Sequence, residues 1–320
     1  MNEVNLLFLA PHWRVTLVRA FQESWSRGQI PGRLIGADSD PEAPALKILP
    51  WAYRLPEFSD PLCLNELQEI CRRENVRAII PMTNKAIEFL DRHRDAIRSM
   101  HLHLYVAPAE TVACCHDKLK LAERFQDPDG PCRVPRTWLA GQVPEDARLP
   151  LIAKERYGEG SRNVFYVESP RDLTYFTECL RRHVFQECID GAEYSIDWFG
   201  GRDGTVRLVV PRERLAVRGG EVMKSRIRLN NTIIDAARAL GETLKLNGPA
   251  TLQGLLDRAG RFWLTDVNLR FGSGYVHSIA AGADLPLLIH RELCGQPVDE
   301  VPLRVTDGSV MVRYPDHLLL

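Results

Sequence analysis

The sequence predicts an α/β protein: a parallel sheet with helices on both faces in the first third, then an α+β part with two lobes. Three observations carry this. Strand-like and helix-like stretches alternate through the first hundred residues, the order that lays strands parallel. A stretch rich in Pro, Asp and Gly at 127–135 marks a composition break. Beyond it the order changes to strand, strand, helix, strand. These features divide the chain into 1–112, 113–300 with a smaller lobe at about 127–190, and a tail at 301–320.

The elements follow in order. Residues 4–10 are apolar and read as a strand, and 14–25 have helical spacing through Val15, Val18, Phe21 and Trp25. A strand at 33–37 ends at Asp38-Ser39-Asp40-Pro41. Asp60 and Pro61 suit the start of a helix through Arg73, with Leu64, Leu67 and Cys71 on one face. A strand at 77–81, a helix at 85–94, a strand at 103–107 and a helix at 117–125 complete the first part. A dinucleotide loop would lie between His12 and Thr16, but Pro11-His12-Trp13-Arg14 stands there, which argues against NAD or FAD. His12 and Arg14 sit at the C-terminal end of the first strand, where open α/β sheets bind ligands; a solvated strand end explains them equally well.

In the second part, 149–153 run as a buried strand to Lys154, and 164–167 return from a glycine turn. Ser169 caps a helix starting at Pro170 with Leu173, Phe176 and Leu180 on one face. Strands are expected at 184–189, 193–199 and 206–212, and a helix at 232–246. A hairpin joins 250–256 to 261–267. Short helices at 275–281 and 285–294 precede a strand-like tail from Val301.

Composition excludes several classes. The 320 residues are 45% hydrophobic and 26% charged with a net charge of −1, so no basic footprint calls for nucleic acid or an anionic membrane. No apolar run is long enough to span a bilayer, and the N-terminus lacks the basic start of a signal peptide. None of the eight cysteines forms a C-x-x-C pair. Reduced thiols in a cytoplasm are the expectation.

Chemistry concentrates in three places. A strand ending at Lys154, followed by Gly158, Gly160 and Ser161, can hold a phosphate chain against backbone N–H groups and a full positive charge; a plain hairpin would look similar. On a strand ending at Asp266-Val267-Asn268-Leu269-Arg270, alternation places Asp266, Asn268 and Arg270 on one face. A carboxylate, an amide oxygen and a guanidinium suit Mg²⁺ and the phosphates it bridges, and Gln253 on the partner strand can add an oxygen. A solvent-facing edge would explain any one of them singly. Between these, an Asp-Gly turn joins two strands at Glu187-Cys188-Ile189-Asp190-Gly191-Ala192-Glu193, suited to a flat base and a ribose hydroxyl.

Three segments, LIAKERYGEGSRNV, VFQECIDGAEYSID and FWLTDVNLRFGSGYVHSIAAGADLP, together resemble the ATP-grasp enzymes. The likeness is to single-copy proteins similar to one half of the carbamoyl phosphate synthase large subunit. It implies a pre-ATP-grasp, Rossmann-like sheet followed by a two-lobed ATP-grasp domain. It also implies roles: Lys118 and Lys154 on ATP phosphates, Gly158, Gly160 and Ser161 in the loop over the γ-phosphate, Glu187 and Ile189 flanking adenine, and Glu193 on ribose. Lys224 and Arg226 become further anion contacts. Gln253, Asp266 and Asn268 match the magnesium positions, with one or two ions, and Arg270 meets phosphate or acyl phosphate. His12, Arg14, Gly272 and His277 fall to the substrate. The chain departs from the pattern at Asp266, one methylene shorter than the usual Glu, at the neutral Gln253, and at Asn163, where a glycine is common.

The resemblance implies an ADP-forming carboxylate–amine ligase working through an acyl phosphate on small-molecule acid and amine substrates. Carbamoyl-phosphate-like transfer to a small acid, and nucleotide binding without turnover, are the competing readings. A homodimer is common among look-alikes.

Overall fold

A computed structural model describes residues 3–127, 130, 132–158, 163–301 and 303–319. The first part is β1 (Val4–Leu9), α1 (Val15–Arg27), β2 (Gly32–Asp38), α2 (Pro44–Lys47), β3 (Trp51–Arg54), α3 (Cys63–Arg73), β4 (Val76–Pro81), α4 (Asn84–Arg92), α5 (Arg94–Arg98) and β5 (His103–Leu104). Its strands form one parallel sheet in the order β3-β2-β1-β4-β5. Then come α6 (Ala109–Cys115) and α7 (Lys118–Arg124), leading to a small lobe of β6 (Thr137–Leu139), β7 (Leu151–Glu155), β8 (Phe165–Val167), α8 (Pro170–Cys179) and β9 (His183–Glu187). That lobe is an antiparallel sheet ordered β6-β9-β7-β8. The rest is β10 (Gly191–Gly200), β11 (Val206–Arg218), β12 (Glu221–Ile227), α9 (Asn231–Thr243), β13 (Gly248–Asp257), β14 (Phe262–Asn268), α10 (Val276–Ala280), α11 (Leu285–Leu293) and β15 (Val310–Val312). Its antiparallel sheet runs β14-β13-β10-β11-β12-β15.

The expected α/β followed by α+β architecture is what forms. β1 is buried along its whole length because both of its faces are covered: Leu7 and Leu9 join a core with α3, α4 and α9, while Val4, Leu6 and Phe8 join another with α1 and α11. Trp25 of α1 donates to Pro286 O at 3.2 Å, tying the first helix to α11. Leu173, Phe176 and Leu180 of α8 pack on a separate small core under β7. Ser169 and Asp172 form a capping box at the start of α8.

Where the structure departs from the expectations, the physical reasons are local. The helix expected from Asp60 begins at Cys63, because the Asp60 carboxylate accepts from Leu62 N at 2.8 Å and makes a turn instead. The strand expected at 103–107 pairs only over His103–Leu104. Several elements had no sequence signal: α2 and β6 are three or four residues long, and β3 is an edge strand without a buried face. The strand-like tail is realised as β15 on the edge of β12. Among the described residues, no helix is long and apolar enough to cross a membrane.

Within the larger sheet, on β10 and β11, lies a fully buried charged pair. Arg212 gives two hydrogen bonds of 2.7 Å to Asp197, and both side chains are buried. Ser278 donates to the same carboxylate at 2.6 Å. The third guanidinium nitrogen, Nη1, is buried without a hydrogen-bond partner, pressed against Gly274, where a Cβ would come within 2.5 Å of it.

Candidate nucleotide cleft

A cleft of about 680 Å³ opens between the small lobe and the larger sheet. One wall is β7 and the start of α7. Lys154 reaches across from β7 and donates to Thr265 O of β14 at 3.2 Å. Burial pushes its amine down to about 8, with Asp266 opposing that shift and Lys118 adding to it. Lys118, the first residue of α7, donates to Gly158 O and so holds the start of the glycine turn. Asp117 anchors both parts: its carboxylate caps α7 at Leu119 N (3.0 Å) and takes Arg156 Nε and Nη2 at 2.8 and 2.6 Å. Burial alone would raise the Asp117 carboxyl, but the Arg156 hydrogen bonds and the amides of Lys120 and Leu119 hold it below its usual range. Asn163 sits at φ +52°, and its amide donates to Glu155 at 2.7 Å. Gly160 and Ser161 lie outside the described residues.

The opposite wall is the β13–β14 hairpin. Gln253 stands directly across from Asp266, and Thr251 from Asn268. The register slips between Gln253 and Gly254, leaving Thr265 as an extra residue on β14. Plain alternation would put Asp266 on the face of buried Phe262 and Leu264; the bulge turns it and Asn268 to the cleft, while Val267 and Leu269 stay in the core. Asn268 Nδ2 donates to Asp266 at 2.9 Å, and Arg270 Nη2 to Asn268 Oδ1 at 3.5 Å. Arg270 Nε also donates to Asn84 at the start of α4, at 3.1 Å. Thr251 Oγ1 donates to Arg270 O (3.3 Å) and accepts from Gly272 N (2.8 Å), and a Cβ on Gly272 would meet that hydroxyl at 2.8 Å.

The connection from β9 to β10 closes the cleft. Glu187, Ile189 and Glu193 all line it, but the Glu187 carboxylate is taken by Arg136, at 2.8 Å from Nε, and the Glu187 N–H donates to Arg136 O at 3.0 Å. Glu193 pairs with buried Arg214 at 3.3 Å. Arg14 lines the cleft from the first sheet. His12 stands apart from it: its ring and backbone N both contact Asp38 at 2.9 Å, and that hydrogen bond raises its pKa. Lys224 and Arg226 lie on β12 away from the lining, Arg226 opposite Glu213. His277 is buried between Ser225 (2.9 Å) and Ser309 (3.2 Å), outside the cleft lining, and burial pushes it down to about 4.

Sequence reasoning had passed over Thr251, Asn84, Asp117 and Arg214. Thr251 was within reach, two residues before Gln253 on the same strand face. Asn84 was not, since its partner is 186 positions away.

A family model described as "ATP-grasp in the biosynthetic pathway with Ter operon" matches residues 180–314, and one described as "PylC-like, N-terminal domain" matches 6–104. An N5-carboxyaminoimidazole ribonucleotide synthetase in complex with ADP superposes with a TM-score of 0.77 at 13% identity, over 98% of this chain and 82% of that one. The chain has the ATP-grasp fold, and its residues 180–314 match an ATP-grasp family model. Two further structures share the fold. The biotin carboxylase domain of Hydrogenobacter thermophilus 2-oxoglutarate carboxylase, with MgADP, ADP and bicarbonate, has a TM-score of 0.74 at 12% identity, covering 97% of this chain and 74% of that one. The L-amino acid ligase of Bacillus licheniformis has 0.69 at 18%, covering 94% and 78%. No curated protein matches the chain by sequence.

The charge state of Lys154 sets a pH dependence. Below about pH 8 the amine is charged, and above it the free protein loses that charge. Nucleotide affinity is therefore expected to weaken above pH 8, approaching about tenfold per pH unit. A Lys154→Arg variant, charged throughout, should show a flat profile in a calorimetric titration; an unchanged alkaline limb would assign the effect elsewhere.

Proposed function

We propose that this protein is an ATP-dependent, ADP-forming carboxylate–amine ligase that works through an acyl phosphate. The observation that carries this reading is the meeting of two walls: Lys154 and Lys118 on one side face Gln253, Asp266, Asn268 and Arg270 on the other. Asp266, Gln253 and Asn268 form a hard-oxygen donor set that fits Mg²⁺. Among the described residues, no group of three or more His, Cys, Asp or Glu forms a metal cage. That suits an ion held jointly by one carboxylate, amide oxygens and the nucleotide's phosphates. When bound, Mg²⁺ would offset charge on the phosphoryl oxygens.

The chain's own residues supply the rest. The backbone at Ile189, beside Glu187, offers a donor and an acceptor for the base, and Glu193 an acceptor for ribose. Lys118 and Lys154 hold the phosphates. Arg270, steadied by Asn84 and Asn268, faces the acid end beside Gly272 and Arg14, where its guanidinium can offset charge as the carboxylate oxygen attacks the γ-phosphorus and ADP leaves. An amine then attacks the acyl carbon and displaces phosphate. The small lobe can close to keep water from that intermediate.

The test is ADP release across a panel of amino acids and small carboxylates, with hydroxylamine as a trap. ADP formation that needs both an acid and an amine, with hydroxylamine able to stand in for the amine and give a hydroxamate, supports the ligase. ADP formation with an acid alone supports phosphoryl transfer to a small acid, and nucleotide binding without turnover for any pair contradicts both.

A further inference from the structure

The loop from β1 to α1 meets the nucleotide cleft only at its last residue. Arg14 lines the cleft, whereas His12, two residues earlier, lies outside the lining. The backbone of this loop is strained: Ala10 has φ +54° and His12 φ +42°, both in the left-handed region that residues with a Cβ rarely adopt. Asp38, whose side chain is fully buried, holds it there. Its Oδ2 accepts from the His12 backbone N–H at 2.9 Å, and its Oδ1 from Asp40 N at 3.2 Å. The His12 ring reaches the same Oδ2 through Nδ1, also at 2.9 Å. With both Asp38 oxygens accepting from amides, Nδ1 is the donor, and the lone pair of the neutral ring sits on Nε2. That nitrogen has no partner among the described residues and is not enclosed, since 41% of the His12 side chain is exposed. A buried carboxylate that orients a histidine and leaves its outer nitrogen open is how a proton acceptor is built.

The position of the loop brings that nitrogen toward the acid end of the cleft. The order β3-β2-β1-β4-β5 changes direction between β1 and β4, the crevice where open α/β sheets take ligands. Leu9 pairs with Pro81, so His12 and Asn84 each stand three residues past a paired position, at one end of neighbouring strands. Such strands run about 5 Å apart. Asn84 accepts from Arg270 Nε at 3.1 Å. The guanidinium that faces the acid and the open imidazole nitrogen therefore belong to one end of the molecule.

We propose that His12 is the base that takes the proton of the amine substrate, with Asp38 steadying the imidazolium. The inference rests on the ligase reading. The amine lone pair forms the C–N bond at the acyl carbon, the C–O bond to phosphate breaks with its electron pair leaving on phosphate, and an N–H proton passes to His12 Nε2. The class of amine follows: one that is protonated at neutral pH, as alkylamines and amino acids are, and so needs a base. The Asp38 hydrogen bond raises the His12 pKa against the effect of burial, and the charges of Asp40 and Glu57 add to it. A carboxylate that merely pins a strained loop is the competing account.

The test compares two kinds of nucleophile on the wild type and on His12→Asn, a residue that tolerates the left-handed backbone but takes no proton. Hydroxylamine is unprotonated at neutral pH and needs no base; the amino acids are protonated there and do. The variant is expected to form hydroxamate at close to the wild-type rate and amide about a hundredfold more slowly, with an unchanged melting temperature. In the wild type, amide formation should rise with pH through the His12 pKa, and that limb should vanish in the variant. A purely structural loop would depress both nucleophiles alike. Equal losses with both, or an amide rate and pH profile untouched by the variant, would overturn the inference and leave the ligase reading standing. No acid-dependent hydroxamate from the wild type would end both.

Discussion

Asp266→Asn is expected to lower ADP release by about two to three orders of magnitude while leaving the fold intact. The carboxylate is the one full negative charge among Gln253, Asp266 and Asn268, so the amide removes the donor that neutralises a divalent ion most. The side chain is partly exposed, and its hydrogen bond within the protein comes from Asn268. An asparagine oxygen can still accept that bond, so the melting temperature should hold. Initial rates at saturating Mg²⁺ read the effect, and near-wild-type turnover would remove Asp266 from the metal site. Gln253→Ala, which takes away a neutral ligand, should do less. The contrast between the two separates charge from coordination.

The largest effect on stability is expected at the buried pair. Asp197→Ala leaves Arg212 charged, fully enclosed and without its partner, which costs about 3–5 kcal/mol. The guanidinium cannot escape by losing its proton. Urea unfolding followed by circular dichroism would show the loss as a lower midpoint. The double change Asp197→Leu/Arg212→Met removes both charges at once and should restore much of the stability, because an apolar pair does not have to be taken out of water as ions. If the single variant unfolds at the wild-type midpoint, water reaches the pair and the burial argument fails. Arg212 also presses on Gly274, next to Ser273 and two residues beyond Gly272, so the same network bears on that rim of the cleft.

What could be read from the sequence follows from how local each cause is. The apolar run of β1, the cap at Ser169 and the lysine near the end of β7 are all set within a few residues, and the chain itself displays them. The hairpin that pairs Gln253 with Asp266 was legible for the same reason, since one short turn fixes its register. The bulge at Thr265 was not: nothing in the local composition says that an extra residue is spliced into β14, although the aim of Asp266 depends on it. His277 looked like a helix-start histidine near the substrate, yet its neighbours Ser225 and Ser309 come from β12 and the tail and bury it. The resemblance made Lys224 and Arg226 anion contacts, but they sit on β12 between β11 and β15 and neither lines the cleft, although Glu221 at the start of that strand does. His12 was placed at the right strand end, but Asp38, 26 residues on, claims both its ring and its amide. Contacts across such distances have no period for a reader to detect.

The most direct measurement is a crystal structure with a slowly hydrolysed ATP analogue and Mn²⁺, whose anomalous signal locates the metal. The account predicts a metal peak on the Asp266 carboxylate beside Gln253, with the triphosphate between it and Lys154. A nucleotide bound elsewhere, or a metal peak away from the β13–β14 hairpin, would contradict it.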